Sequence, residues 1–280
     1  MTNMQLFHDV SQDCSRNTTE KYSTSFSSSI KLLGESLRQP IFNIYGFVRF
    51  ADEIVDTFHD YDKATLLKEF KDATYQAIER KISLNPIIHS FQITVNQYNI
   101  DISLIDAFLH SMELDLGKQQ YDVKGYEEYI YGSAEVVGLM CLHVFCNGDK
   151  QLYEKLKPGA RSLGAAFQKV NFLRDLKADY SGLERTYFPG CDFKNFTDND
   201  KRNIEIDIQN DFDKAYSSII QLTLQARFGV YVDYKYYLSL FFKIKSLKPQ
   251  RIMQERIRIP DYNKFYIVAK AGIRSQFNLL

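Results

Sequence analysis

Apolar side chains return at helical intervals along this chain, and no stretch keeps the two-residue rhythm of a strand. The segment TLLKEFKDATYQAIERK sets Leu66, Leu67, Phe70, Ala73, Ala77 and Ile78 on one face, with lysines and glutamates opposite. Asp101 has the chemistry and position of an N-cap for ISLIDAFLHSMELDL, which Gly117 is expected to end. Pro40, Pro86, Pro158 and Pro249 are expected at helix starts or junctions, where a missing N–H costs little. From Asp198 to Lys245 the pattern predicts two consecutive helices bent near Gly229. Thirteen glycines and six prolines, spread over 280 residues, leave no linker long enough to part domains. The expected architecture is one all-α domain of about eight to ten helices.

Composition narrows the function classes. With 45% hydrophobic and 14% aromatic residues, the chain is globular rather than disordered. Lysine plus arginine equals aspartate plus glutamate at 35 each, so no global basic field exists to draw nucleic acid. Cys14, Cys141, Cys146 and Cys191 form no CxxC pair and no zinc spacing, and reduced cytosolic thiols are the simpler expectation. The five histidines are scattered without ligand spacing, and neither GxGxxG nor GxxxxGK[ST] occurs. MTNMQLFHDVSQDCSRN lacks the pattern of a signal peptide and AGIRSQFNLL that of a membrane anchor, so neither is expected. The longest apolar run, VVGLMCLHVFC, is about half the length needed to cross a bilayer. Its helix is expected to be buried on several sides, as a central core helix or as the wall of a deep greasy cavity; periodicity does not separate the two.

Against this apolar background, two acidic segments stand out. VRFADEIVDTF places Asp52 and Asp56 four residues apart, about 40° of rotation and about 6 Å of rise on a helix, so both carboxylates share a face. Arg49 lies one turn before, and an arginine-paired stripe explains this pair alone as well as a ligand site does. The second segment, QKVNFLRDLKADY, holds Asn171, Asp175 and Asp179 at strict i, i+4, i+8 spacing, with Gln168 about a turn earlier and Arg174 beside Asp175. Hard oxygen ligands of this kind suit Mg²⁺, with Mn²⁺ as the alternative, and such an ion bridges phosphate oxygens. Two acidic helices facing each other across an apolar cavity would hold a diphosphate at the mouth and a hydrocarbon inside.

These segments give the chain a resemblance to the squalene/phytoene synthase family, nearest within it to the bacterial phytoene-synthase type. IYGFVRFADEIVD resembles the Y-x3-R-x2-D-x3-D signature through Tyr45, Arg49, Asp52 and Asp56. LGAAFQKVNFLRDLKADYSGLERTYFP resembles Q-x2-N-x2-RD-x3-D followed by R-x-Y, through Gln168, Asn171, Arg174, Asp175, Asp179, Arg185 and Tyr187. YIYGSAEVVGLM matches a third segment through Tyr129, Ala134, Val137 and Gly138, and YSTSFS a fourth through Ser25 and Phe26. Three departures stand out: Glu135 where relatives have glycine, DExxD in place of DDxxD, and Thr24 at an often basic position.

The resemblance implies an isoprenoid-synthase helical bundle around a deep apolar cavity, as a single domain over residues 1–280. It implies head-to-head joining of two allylic prenyl diphosphates through a cyclopropylcarbinyl diphosphate. Proton loss then gives a phytoene-type triene, whereas hydride from NADPH gives squalene. Asp52, Asp56, Asn171, Asp175 and Asp179 are the expected metal ligands. Arg49, Arg174 and Arg185 are the expected diphosphate clamps, since guanidinium grips phosphate oxygens in pairs. Phe26, Tyr45, Tyr129 and Tyr187 are expected to face the carbocation. Gln168 is expected to position the acceptor diphosphate, and Ser25, Ala134, Val137 and Gly138 to touch substrate.

The first expectation is condensation of two geranylgeranyl diphosphates to phytoene without NADPH, in carotenoid biosynthesis. A farnesyl diphosphate enzyme making squalene, presqualene diphosphate or dehydrosqualene is the alternative. A non-catalytic relative acting as an assembly factor is an alternative of another class. An insoluble product implies peripheral contact at the inner face of the cell membrane and handover to a downstream desaturase. The basic, apolar-interleaved C-terminus could touch anionic lipid, although a solvated helix end explains it equally.

Overall fold

The structure, a computed structural model, describes residues 1–117, 121–182, 187–191, 195–260 and 267–272, with backbone alone for 178–182. Among them run α1 (Asn3–Tyr22), α2 (Thr24–Ile30), α3 (Glu35–Asp56), α4 (Lys63–Arg80), α5 (Pro86–Tyr98), α6 (Ile102–Asp115), α7 (Val123–Ile130), α8 (Val136–Cys146), α9 (Lys150–Gly182), α10 (Asp198–Ile219), α11 (Leu224–Lys245) and α12 (Pro249–Ile252), and residues 267–272 are helical as well. A π-helical turn, Tyr131–Glu135, joins α7 to α8. The all-α expectation holds. The count exceeds ten, in part because α2 and α12 are short segments of seven and four residues.

Local chemistry sets most boundaries. Asp101 caps α6 as expected, its carboxylate accepting from the Ser103 N–H at 2.9 Å. Pro86 and Pro249 begin α5 and α12. Pro40 and Pro158, expected at junctions, lie inside α3 and α9 instead. Each proline orphans the carbonyl four residues earlier, and Ser36 and Glu154 are both exposed, so water can take that bond. The long buried helix outweighs a local cost of about 3 kcal/mol. Gly229 is no bend either: the break falls between Ile219 and Leu224, and Gly229 lies inside α11. A Cβ there would come within 2.5 Å of the Leu33 side chain, so the missing side chain serves close packing of α11 on α2 and its exit.

The apolar interior is divided into two clusters. One gathers α3, α5, α6 and α8 around Phe47, whose ring stacks on Phe91 at 3.8 Å. The other gathers α9, α10 and α11 around Phe212, Tyr231 and Phe241. Lys169 clasps α9 to α10, with Nζ at 2.7 Å from Asp211 and 2.5 Å from Asp207. A cavity of about 690 Å³ takes side chains from both clusters. VVGLMCLHVFC thus serves both roles expected of it: Leu139, Met140 and Val144 are core, whereas Val137, Cys141 and Phe145 line the cavity. Joined through the π turn, α7 and α8 run 24 residues, long and apolar enough to cross a membrane. The apolar run alone did not reach that length. Over half of its most apolar window is buried inside the fold, as in the core helix of a folded domain.

Candidate functional site

The cavity has a charged mouth and an apolar body. Val48, Ile41 and Phe26 continue into aliphatic walls from α8, α9 and α10. At the mouth, α3 contributes Arg49, Asp52 and Asp56, and α9 contributes Asn171, Arg174 and Asp175. The helical spacing read from each segment therefore puts both acidic faces on the same opening.

The two faces differ in how their charges are matched. On α3, Arg49 donates to Asp52 at 2.6 Å and also bonds Glu53, while its guanidinium lies 4.4 Å from the centre of the Tyr22 ring. On α9, Arg174 donates to Asp175 at 2.5 Å, and Arg256 reaches the same carboxylate at 2.7 Å. Arg256 follows α12, within the C-terminal stretch that sequence reading left as lipid contact or a solvated helix end. It lines the cavity instead, because Ile257 and Ile259 beside it are buried and anchor the strand of chain. QERIRIP carries alternating isoleucines, a signal of anchoring that charge alone obscured.

Asn171 carries a further clue. Its Oδ1 is buried and, among the described residues, has no hydrogen-bond partner, while its side chain bonds Tyr237. Among the described residues no three acidic, cysteine or histidine side chains gather closely enough to hold one ion. That does not conflict with Mg²⁺, which takes one or two protein carboxylates and fills its shell with water and phosphate oxygens. The donor set and an orphaned amide oxygen fit such an ion.

Aromatic groups line the passage inward. Tyr45 faces Phe26 at 5.2 Å between ring centres, and burial pushes its hydroxyl above the ordinary phenol range. Tyr129 donates to Asp115 at 2.9 Å, and burial keeps its phenol neutral far above that range. Tyr187 stacks on Phe172 at 3.9 Å. Gln168 donates to Ser133 at 3.2 Å, tying α9 to the π turn. Gly138 and Gly164 permit that approach: a Cβ on either would lie 2.8 or 2.6 Å from the carbonyl oxygen of Ala160 or Ala134. Such π turns recur where a helix is re-aimed at a functional surface.

Of the expected residues, Phe26, Tyr45, Arg49, Asp52, Asp56, Tyr129, Ala134, Val137, Gly138, Gln168, Asn171, Arg174, Asp175 and Tyr187 all line this cavity. Ser25 does not; Ser23 and Ser29 from the same serine-rich segment do. Ser23 caps α2 by accepting from the Phe26 N–H at 3.3 Å. Arg185 and the Asp179 side chain lie outside the described residues. Glu135 is turned away from the cavity and paired with Arg161 at 2.5 Å, which is how a carboxylate fits on this helix. Sequence reading missed Tyr22, Ser29, Cys141, Asp233, Tyr237 and Arg256, all of them lining residues. Asp233 is buried on α11 and takes the Ser29 hydroxyl at 3.4 Å, and burial pushes its carboxyl up to about 7.

The profile described as squalene/phytoene synthase matches residues 19–242. The 4,4'-diapophytoene synthase of Staphylococcus haemolyticus (strain JCSC1435) is 25% identical over 212 residues, covering 75% of this chain and 70% of that one. The phytoene synthase of Arthrospira platensis is 24% identical over 95% of this chain and 94% of its own length. In fold, a crystal structure of a dehydrosqualene synthase superposes with a TM-score of 0.83 at 17% identity, covering 96% of this chain and 98% of that one. With the profile running through both acidic helices and all of the helices between them, the chain belongs to the squalene/phytoene synthase family.

Proposed function

We propose that this protein condenses two allylic prenyl diphosphates head to head, with geranylgeranyl diphosphate as substrate and phytoene as product. The observation that carries the reading is the shared mouth: Asp52, Asp56 and Asp175 open onto one cavity whose body is apolar. A diphosphate fits the first and a polyprenyl chain the second. Similarity to a phytoene synthase over nearly the whole chain supports the longer substrate.

Asp52, Asp56, Asp175 and Asn171 would hold Mg²⁺. Such an ion would supply the positive charge that compensates the departing diphosphate. Arg49, Arg174 and Arg256 exchange carboxylate partners for phosphate oxygens, a swap of one anionic acceptor for another that carries more charge. Tyr45 and Phe26 shield the cation from water and turn ring faces toward it. Tyr129, held by Asp115, fixes the orientation of the aromatic stack that includes Tyr187.

A second reading, farnesyl diphosphate as substrate, is favoured by the similarity to a diapophytoene synthase. Incubation of the purified chain with each diphosphate and Mg²⁺, with and without NADPH, separates the two. Phytoene from geranylgeranyl diphosphate, independent of NADPH, is the expected result. Exclusive turnover of farnesyl diphosphate overturns the longer substrate, and no turnover of either favours an assembly role. Peripheral membrane contact, handover to a desaturase and a cytoplasmic location belong to the same proposal; flotation with anionic vesicles at low and high salt tests the first.

A further inference from the structure

We propose that Asp233 is the base that ends the reaction, taking the proton whose loss turns the final joined cation into an alkene. This rests on the condensation reading above. A carboxyl inside an oily wall is costly to keep unless it meets a polar or charged partner there. Asp233 lines the cavity, and Ser29 donates to its Oδ1 at 3.4 Å. It sits one helical turn, about 6 Å, from Tyr237, the residue bonded to Asn171 at the charged mouth. On its other side it meets Cys141 in the apolar α8 wall of the cavity, which places it beside the hydrocarbon.

The other acceptors nearby are weaker. Asp52 and Asp175 are engaged by arginines at the mouth, where Asp56 also lies, away from the hydrocarbon. Tyr45, Tyr129 and Tyr237 are all held neutral by burial. Among the described residues, the groups facing Asp233 are the Ser29 hydroxyl from α2, the Cys141 thiol from α8 and Tyr237 from its own helix. Burial pushes Cys141 up to about 12, so neither it nor Tyr237 adds charge near neutral pH. Asp233 itself, pushed up to about 7, is poised to take a proton at working pH.

The step balances simply. A C–H bond next to the allylic cation breaks, its electron pair becomes the new C=C bond, and the proton passes to a carboxylate oxygen of Asp233. Cation and carboxylate become neutral alkene and neutral acid, and the acid returns its proton to water once product leaves. Without this base the cation persists until water or diphosphate captures it.

The test reads the split among joined products, with a prenyl diphosphate, Mg²⁺ and no NADPH. In Asp233→Asn the alkene share is expected to fall at least tenfold, with joined alcohols or the cyclopropylcarbinyl diphosphate in its place. Asp233→Glu is expected to restore part of it. In the unaltered protein the alkene share is expected to rise with pH through about 7, a readout that needs no variant. An unchanged split in a folded Asp233→Asn, or a pH-independent split in the unaltered protein, overturns the proposal and leaves Asp233 as a tie between α2 and α11. If the unaltered protein joins neither diphosphate, the condensation reading fails first.

Discussion

The two acidic faces of the cavity mouth are assembled in different ways. On α3 Arg49 answers Asp52 and Glu53 within one helix, at i+3 and i+4. On α9 Asp175 has its helical neighbour Arg174 and also Arg256, which arrives from 81 residues away. The Arg49–Asp52–Glu53 part of the α3 face is thus set once its helix forms. The pairing of Asp175 with Arg256 forms only when the segment after α12 packs against α9. Local matching makes a site robust, whereas distant matching ties the site to the state of the whole fold.

The largest effect is expected from the carboxylates themselves. Asp52→Asn and Asp175→Asn should each lower turnover by about 10²–10³-fold with the circular dichroism spectrum unchanged. Equal losses would make the faces chemically equivalent despite their different assembly; normal turnover in both would favour the assembly role. Next comes a stability effect away from both faces. Asp233 ionises near 4 when unfolded and near 7 when folded, so the unfolded chain releases its proton first as pH rises. The raised pKa therefore costs stability progressively from about pH 4 to about pH 7, up to a few kcal/mol in total. Denaturant titrations of Asp233→Asn should show that downward slope flattened relative to the unaltered protein.

Arg256→Ala breaks the comparison directly. Removing the remote partner should reduce turnover by about 10–100-fold, the worth of charge-assisted contacts to phosphate. Because the Arg256 side chain is 53% exposed, stability should change by less than about 1 kcal/mol. A steady-state assay beside a thermal melt separates the two. The smallest effect is expected from Glu135→Gly, which removes a bridge to the half-exposed Arg161 off the cavity. It should change stability by about 1 kcal/mol or less and leave turnover as it was, since Glu135 does not line the site.

Much of this was legible beforehand because it depends on short-range geometry. Spacing of four residues places side chains on one helical face in any context, so Asp52 with Asp56, and Asn171 with Asp175, were readable as faces. Asp101 as an N-cap followed from its own side chain. Prolines misled, because whether a lost hydrogen bond matters depends on whether water reaches the freed carbonyl. Ser36 and Glu154, the residues that carry those carbonyls, are exposed.

By itself, then, the sequence determined the helices, their apolar faces and the two acidic stripes, since each is set by contacts within a few residues. It also carried the family signature, because that signature is written along those stripes. Only the tertiary structure decided that Arg256 belongs to the mouth, that Glu135 turns away to Arg161, and that Asp233 stands in the oily wall. Burial and partnership across helices arise from packing between distant segments, and a single line of residues does not state which segments will meet.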